Sequence, residues 1–159
     1  MQNNIFVKYV TEMEKIDQEL RLQAKPGREL INFVIYAIDA VHNYRIHHLI
    51  NLYGYPTEKT IGKKALHLFW LLIQHQDYDL PLQENCLKYC NFNKKDAAYL
   101  TDRVCVNKGK KQIFGTQFFL KNGKPSPRPI ENPQKVDVRR KSVGLGTLAT
   151  YTKSMRGGK

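Results

Sequence analysis

At 159 residues the chain is long enough to bury one ordinary core, and 42% hydrophobic residues with 11% aromatics argue against disorder. No apolar run approaches the roughly 18 residues that cross a bilayer, so no membrane span is expected. The net charge of +12 is uneven: residues 1–107 hold 13 Lys and Arg against 12 Asp and Glu, and residues 108–159 hold 13 against 2. Such asymmetry favours an anionic partner, either a small molecule or nucleic acid, while a merely solubilising tail would have the same composition. The first residues carry no long apolar stretch and no small-residue cleavage site, so the expected location is the cytoplasm, with signal-independent secretion compatible. Three cysteines without a C-x-x-C pair read as reduced, packed thiols.

The first predicted helix runs from about Ile5 to Leu22, with Phe6, Val10, Met13, Ile16 and Leu20 on its apolar side. Asp17 and Arg21, one turn apart, are expected to pair on its surface. Lys25-Pro26-Gly27 breaks it. A second helix is expected from Arg28 to Tyr53, with Leu30, Phe33, Val34, Ala37, Ile38, Val41 and Leu49 facing the core, and Gly54 and Pro56 ending it. A third, from about Ile61 to Gln76 with Thr57 or Thr60 as N-cap, is apolar nearly all round through Ala65–Ile73 and should be the buried central helix. Asp79 with Pro81 opens a fourth, ending near Tyr89, and Asn93 a fifth, from Ala97 to about Val106. The pattern then changes. Residues 112–120 are rich in β-formers, Asn122-Gly123 is a hairpin turn, and the proline-rich arm to Pro129 can only be an edge strand or an extended strap. A short basic helix over Val136–Lys141 follows. The expected fold is α+β and predominantly helical: about five helices bundled around the central one, then a hairpin and a basic C-terminal segment. It is read as a single domain, with a helical body over 1–107 and a tail over 108–159.

Polar residues inside apolar stretches are the candidates for chemistry. His75 ends the buried helix, where the helix dipole favours protonated imidazole, and it is a natural general acid or base, with Asp77 or Asp39 to orient it. The plain structural alternative is a histidine bonded to helix-end carbonyls. Asp39, Asn43 and His47 form a polar stripe on the second helix. Asp39 and His47 lie about 12 Å apart along the axis and cannot share an ion unaided, so no metal is expected. His42 and His48 read as surface residues. Arg103 suits bidentate capture of an anion, with an interhelical salt bridge as its alternative, and Asp102 beside it points elsewhere. As a strand, residues 112–117 place Gln112, Phe114 and Thr116 on one face and Ile113, Gly115 and Gln117 on the other. Gln112, Thr116 and Gln117 would then line a half-buried wall, and Gly115 would mark a close approach. Arg139 and Arg140 are candidates to grip phosphate. No Walker A loop, Rossmann fingerprint, G-x-S-x-G elbow, H-E-x-x-H or nucleic-acid-binding signature occurs, so no cofactor is expected.

These motifs fall in a recognisable order: Asp-Gln-x-x-Arg from Asp17, Asp39 with Asn43, Gly-Tyr-Pro-Thr from Gly54, Gln-His-x-Asp from Gln74, Gln83, Asp-Arg-Val from Asp102, Gly-x-x-Gln-x-Phe-Gly-Thr-Gln from Gly109, Pro-Ile-Glu from Pro129, Arg139-Arg140 and Val-Gly-Leu from Val143. The order resembles a mostly bacterial family catalogued only as a domain of unknown function, over nearly the whole chain. Tyr55 stands where that family commonly has tryptophan, and Phe114 where it has tyrosine. The resemblance implies no activity, only that His75, Asp77, Arg103, Gln112 and Gln117 belong to a shared polar set. Three functions fit: a small metal-independent acid–base enzyme acting on a phosphoester-like or RNA-like substrate, a non-catalytic binding module for a nucleotide, nucleic acid or acidic partner, or a structural domain locked by its polar residues. The oligomeric state is not legible.

Overall fold

Short polar side chains set where the helices begin. In the computed structural model, which describes residues 3–24, 27 and 29–157, the Asn3 side chain accepts from Phe6 N–H at 3.0 Å and opens α1 (Asn4–Gln23). Helix α2 (Glu29–Tyr53) follows. Thr57 and Thr60 cap each other's main chain at the start of α3 (Glu58–Gln74), Asp79 accepts from Leu82 N–H to start α4 (Leu80–Tyr89), and Asn93 starts α5 (Lys94–Asn107). A short polar acceptor satisfies first-turn amides that have no partner inside the helix, which makes these starts readable from sequence. The expected break at Lys25-Pro26 and start at Arg28 lie outside the described residues.

Strands β1 (Phe118–Lys121) and β2 (Lys124–Pro127) pair antiparallel, followed by α6 (Val136–Ser142) and α7 (Leu148–Met155). The protein is therefore mostly helical with one two-stranded hairpin. No helix among the described residues is long and apolar enough to cross a membrane. Two compact units divide the chain, one ending at Phe92 and the other beginning at Asn93, so α5 groups with the C-terminal segment and not with the four helices before it.

In the first unit α1 and α3 supply most of the apolar core. Phe6, Val10 and Met13 are buried on α1, and Ile61, Leu66, Phe69, Trp70, Leu72 and Ile73 on α3, with the Phe6 and Phe69 rings edge-on at 5.7 Å. Within the apolar run of α3, Ala65, Leu66, Phe69, Trp70, Leu72 and Ile73 are buried and His67 is exposed, and Gly62 interrupts the helix at φ 79°. Helix α2 departs from expectation. Its buried residues are Ile35, Asp39, His42, Ile46 and Leu49, whereas Leu30, Phe33, Tyr36, Val41 and Tyr44 are exposed. The buried set advances by alternating steps of four and three, a helical stripe that includes two polar residues. His42, expected at the surface, is only 3% exposed. Asp17 is likewise buried, because it continues the α1 series Phe6, Val10, Met13, and it is Ile16 that faces outward.

In the second unit the hairpin turns at Asn122 and Gly123, both at positive φ as a type I′ turn requires. The strand expected from Gln112 begins only at Phe118. Residues 113–117 instead form a loop, because the amides of Ile113, Phe114 and Thr116 point at a side-chain carboxylate and that of Gln117 at the Gln112 side chain, not at a neighbouring strand. Helix α7, capped by Thr147, was not anticipated in the Gly-containing end. Gly115 has φ 70°, and a Cβ there would lie 2.9 Å from Cδ1 of both Ile130 and Leu148. Its close approach is to the protein's own side chains. Gly115→Ala should destabilise the fold by at least about 1–2 kcal/mol from backbone conformation alone, with crowding added, as read by urea unfolding.

Candidate functional site

The first unit gathers its polar residues around Asp17. Its side chain is 2% exposed, and a carboxylate so placed needs partners in proportion to its lost hydration. It has three. Arg21 Nε donates at 2.9 Å, Gln18 Nε2 at 2.9 Å, and His75 Nδ1 lies 3.1 Å from Oδ1 and 3.0 Å from Oδ2. Arg21 also reaches across to α2, donating from Nη2 to Asp39 Oδ1 at 2.6 Å. Burial pushes the Asp17 carboxyl up, but His75 and Arg21 more than reverse this, and it settles below the usual carboxylate value. At Asp39 burial prevails over Arg21, and its pKa is raised.

An ionised carboxylate only accepts hydrogen bonds, so the imidazole nitrogen facing Asp17 must carry the proton. In the neutral ring Nε2 then keeps its lone pair. His75 is the C-cap of α3 and its side chain is 19% exposed. The turn that carries it is held by buried Gln83, which donates to Ile73 O at 3.1 Å and Asp77 Oδ1 at 3.4 Å, and by Tyr78, whose hydroxyl donates to Asp39 O at 2.9 Å. The carboxylate that orients His75 is thus Asp17, while Asp77 is exposed and accepts from Gln83.

The α2 stripe meets Arg21 at Asp39 and the Asp79 carboxylate farther along. Asn43 and His47 both bond Asp79 Oδ2, at 2.9 and 2.7 Å, tying α2 to the start of α4. Burial raises the Asp79 pKa, and the bonds from Asn43, His47 and Leu82 N–H outweigh it, leaving the group below its usual value. One residue before Asn43, His42 Nδ1 is buried and has no hydrogen-bond partner among the described residues, and burial lowers the His42 pKa.

The second unit is organised by Asp102, which is fully buried. Its carboxylate accepts from the main-chain N–H of Ile113 (2.6 Å), Phe114 (2.9 Å) and Thr116 (2.9 Å) and from Thr116 Oγ1 (3.0 Å). Arginines hold the carbonyl side of the same loop. Arg140, 2% exposed, donates from Nη1 to Phe114 O and from Nε to Gly146 O, and Arg139 donates to Ile113 O and Glu131 O. The Gln112 amide donates to Gln117 O and Arg128 O and accepts from Gln117 N–H. Gln112, Thr116, Arg139 and Arg140, read from sequence as ligand contacts, therefore shape a main-chain loop, and Gln117 Nε2 bonds Thr116 Oγ1 beside it. Arg103 is half-buried on α5 in this same unit.

Of the expected site residues, His75, Asp77, Asp39 and Asn43 belong to the first unit, and Arg103, Gln112, Thr116, Gln117, Arg139 and Arg140 to the second. The structure links His75 with Asp39 through Asp17 and Arg21. Sequence reading missed Asp17 as the hub and Asp102 as the loop anchor. The signal for Asp17 was its place one turn beyond Met13 in the buried series. The chain matches a family model described as "Family of unknown function (DUF6624)" over residues 8–157. No curated protein and no solved structure matches it.

Two outcomes follow. D102N keeps the side chain's shape but sets a donor against amide donors, and should cost about 3 kcal/mol or more in denaturant unfolding. Asp79, with its pKa held down by folding, stabilises the protein above its unfolded pKa and loses that contribution as pH falls through the folded one. The melting-temperature gap between wild type and D79N should be widest near neutrality and narrow as pH falls through and below the ordinary carboxylate range; a gap independent of pH would contradict this assignment.

Proposed function

The chain belongs to the family of unknown function DUF6624, so its chemistry must be read from its own residues, and we propose that it is an acid–base enzyme whose proton carrier is His75. The observation that carries this reading is the contact of His75 Nδ1 with buried Asp17 at about 3.0 Å. It fixes one nitrogen as a donor and leaves Nε2 to take and return a proton. When the ring becomes imidazolium, the ionised Asp17 stabilises it, while Arg21 and Gln18 hold that carboxylate in place. In a hydrolysis or transfer reaction Nε2 removes the proton from the attacking hydroxyl or water, and the imidazolium returns it to the leaving oxygen. The excess positive charge of residues 108–159 supports an anionic substrate, a phosphoester or an RNA-like chain.

The decisive variant is H75N. Asparagine retains a donor for Asp17 and removes the titrating nitrogen. Assayed against nitrophenyl phosphoesters, cyclic nucleotides and short RNA, the full chain should turn over at least one of them. H75N should lose about 100-fold or more of that rate with its melting temperature nearly unchanged. Turnover that survives in H75N would end the proposal, and so would a variant that merely unfolds while H75Q folds and remains fully active.

A further inference from the structure

Beyond the acid–base reading, and independent of it, we propose that Asp17, Asp39 and His42 form a binding site for a divalent transition-metal cation such as Zn²⁺ or Mn²⁺. One carboxylate oxygen from each aspartate and one imidazole nitrogen of His42 all lie within 4.8 Å of one another, and all three residues are buried. Asp39 and His42 are three residues apart on α2 and so share a face, and Asp17 approaches from α1. Two carboxylates with one imidazole make a mixed oxygen and nitrogen donor set, which suits borderline transition ions better than calcium or magnesium.

Two features point to a ligand and not simply to a packed polar seam. His42 is 3% exposed, and its Nδ1 is buried with no hydrogen-bond partner among the described residues, although buried imidazole nitrogens are ordinarily satisfied. The charges also fail to balance. Two carboxylates face one Arg21 guanidinium, which engages Oδ1 of each aspartate at 2.9 and 2.6 Å. A cation seated among the three would balance the second carboxylate and give the buried His42 imidazole a partner. Arg21, 28% exposed at its side chain, has room to move toward solvent as the ion enters. Asp17 already carries the outer bonds expected of a ligating carboxylate, from Gln18 and His75. The sequence steered away from a metal because it paired Asp39 with His47, which instead bonds Asp79; the useful partner is His42, three residues along the same helix.

The test is calorimetric titration of the full chain, stripped with chelator, with Zn²⁺, Mn²⁺ and, as controls, Mg²⁺ and Ca²⁺. The expected result is one equivalent of Zn²⁺ or Mn²⁺ bound, with affinity reduced about 100-fold or more in H42Q and in D39N and unchanged in H47N. Failure of the wild-type chain to bind either ion overturns the site, as does equal binding by folded H42Q and D39N. If those variants do not fold, the ¹⁵N signals of the His42 ring in the wild type decide it: one nitrogen must shift with a single equivalent of Zn²⁺, and an unmoved ring overturns the site. None of these readouts involves turnover, so the metal site and the role of His75 stand or fall separately.

Discussion

The first unit is arranged around a carboxylate that has left water. Asp17 occupies a core position on α1, and hydrophobic packing on either side of it gives nothing back for its lost hydration. The cost is met by a guanidinium, an amide and an imidazole, and each of these acquires a fixed position in doing so. Arg21 becomes a strut to Asp39 on α2, and His75 is turned so that its second nitrogen is left for other work. Removing Arg21 would leave two buried carboxylates without their shared guanidinium, which is more damaging than the net worth of the contacts suggests.

The second unit solves a related problem in reverse. A loop that leaves the regular hydrogen-bonding of a strand exposes amides and carbonyls that must be satisfied inside the protein. Asp102 takes the amides, and Arg139 and Arg140 take the carbonyls. The two opposite charges do not need to touch, because the peptide dipoles between them carry the interaction. Part of the basic charge of the C-terminal segment is therefore structural. The exposed lysines and Arg128 around it are what remains to attract an anion.

Much of the scaffold was legible. Asn93, Asp79 and Thr57 announced helix starts because a cap is a local contract between one side chain and the next amides. Asn122-Gly123 announced the hairpin because both residues tolerate positive φ. The apolar run at Ala65–Ile73 announced the buried helix. What failed was long-range. Helix α2 has apolar residues on every side, so counting them does not reveal which stripe faces inward, and the inward one contains Asp39 and His42. Residues 112–117 have strand-like composition, and only knowledge that Asp102 sits opposite their amides would predict a loop. His75 was found by its place at a helix end, but the carboxylate that orients it lies 58 residues earlier, a pairing no local pattern contains.

Asp17 fixes which nitrogen of His75 carries the proton. Long-range ¹H–¹⁵N correlation spectra of the imidazole, recorded above neutral pH on wild type, test it most directly. Nδ1 should carry the proton and Nε2 should show the shift of an unprotonated ring nitrogen, with that preference lost in D17A. A His75 ring protonated at Nε2, or one indifferent to the removal of the Asp17 carboxylate, would contradict it.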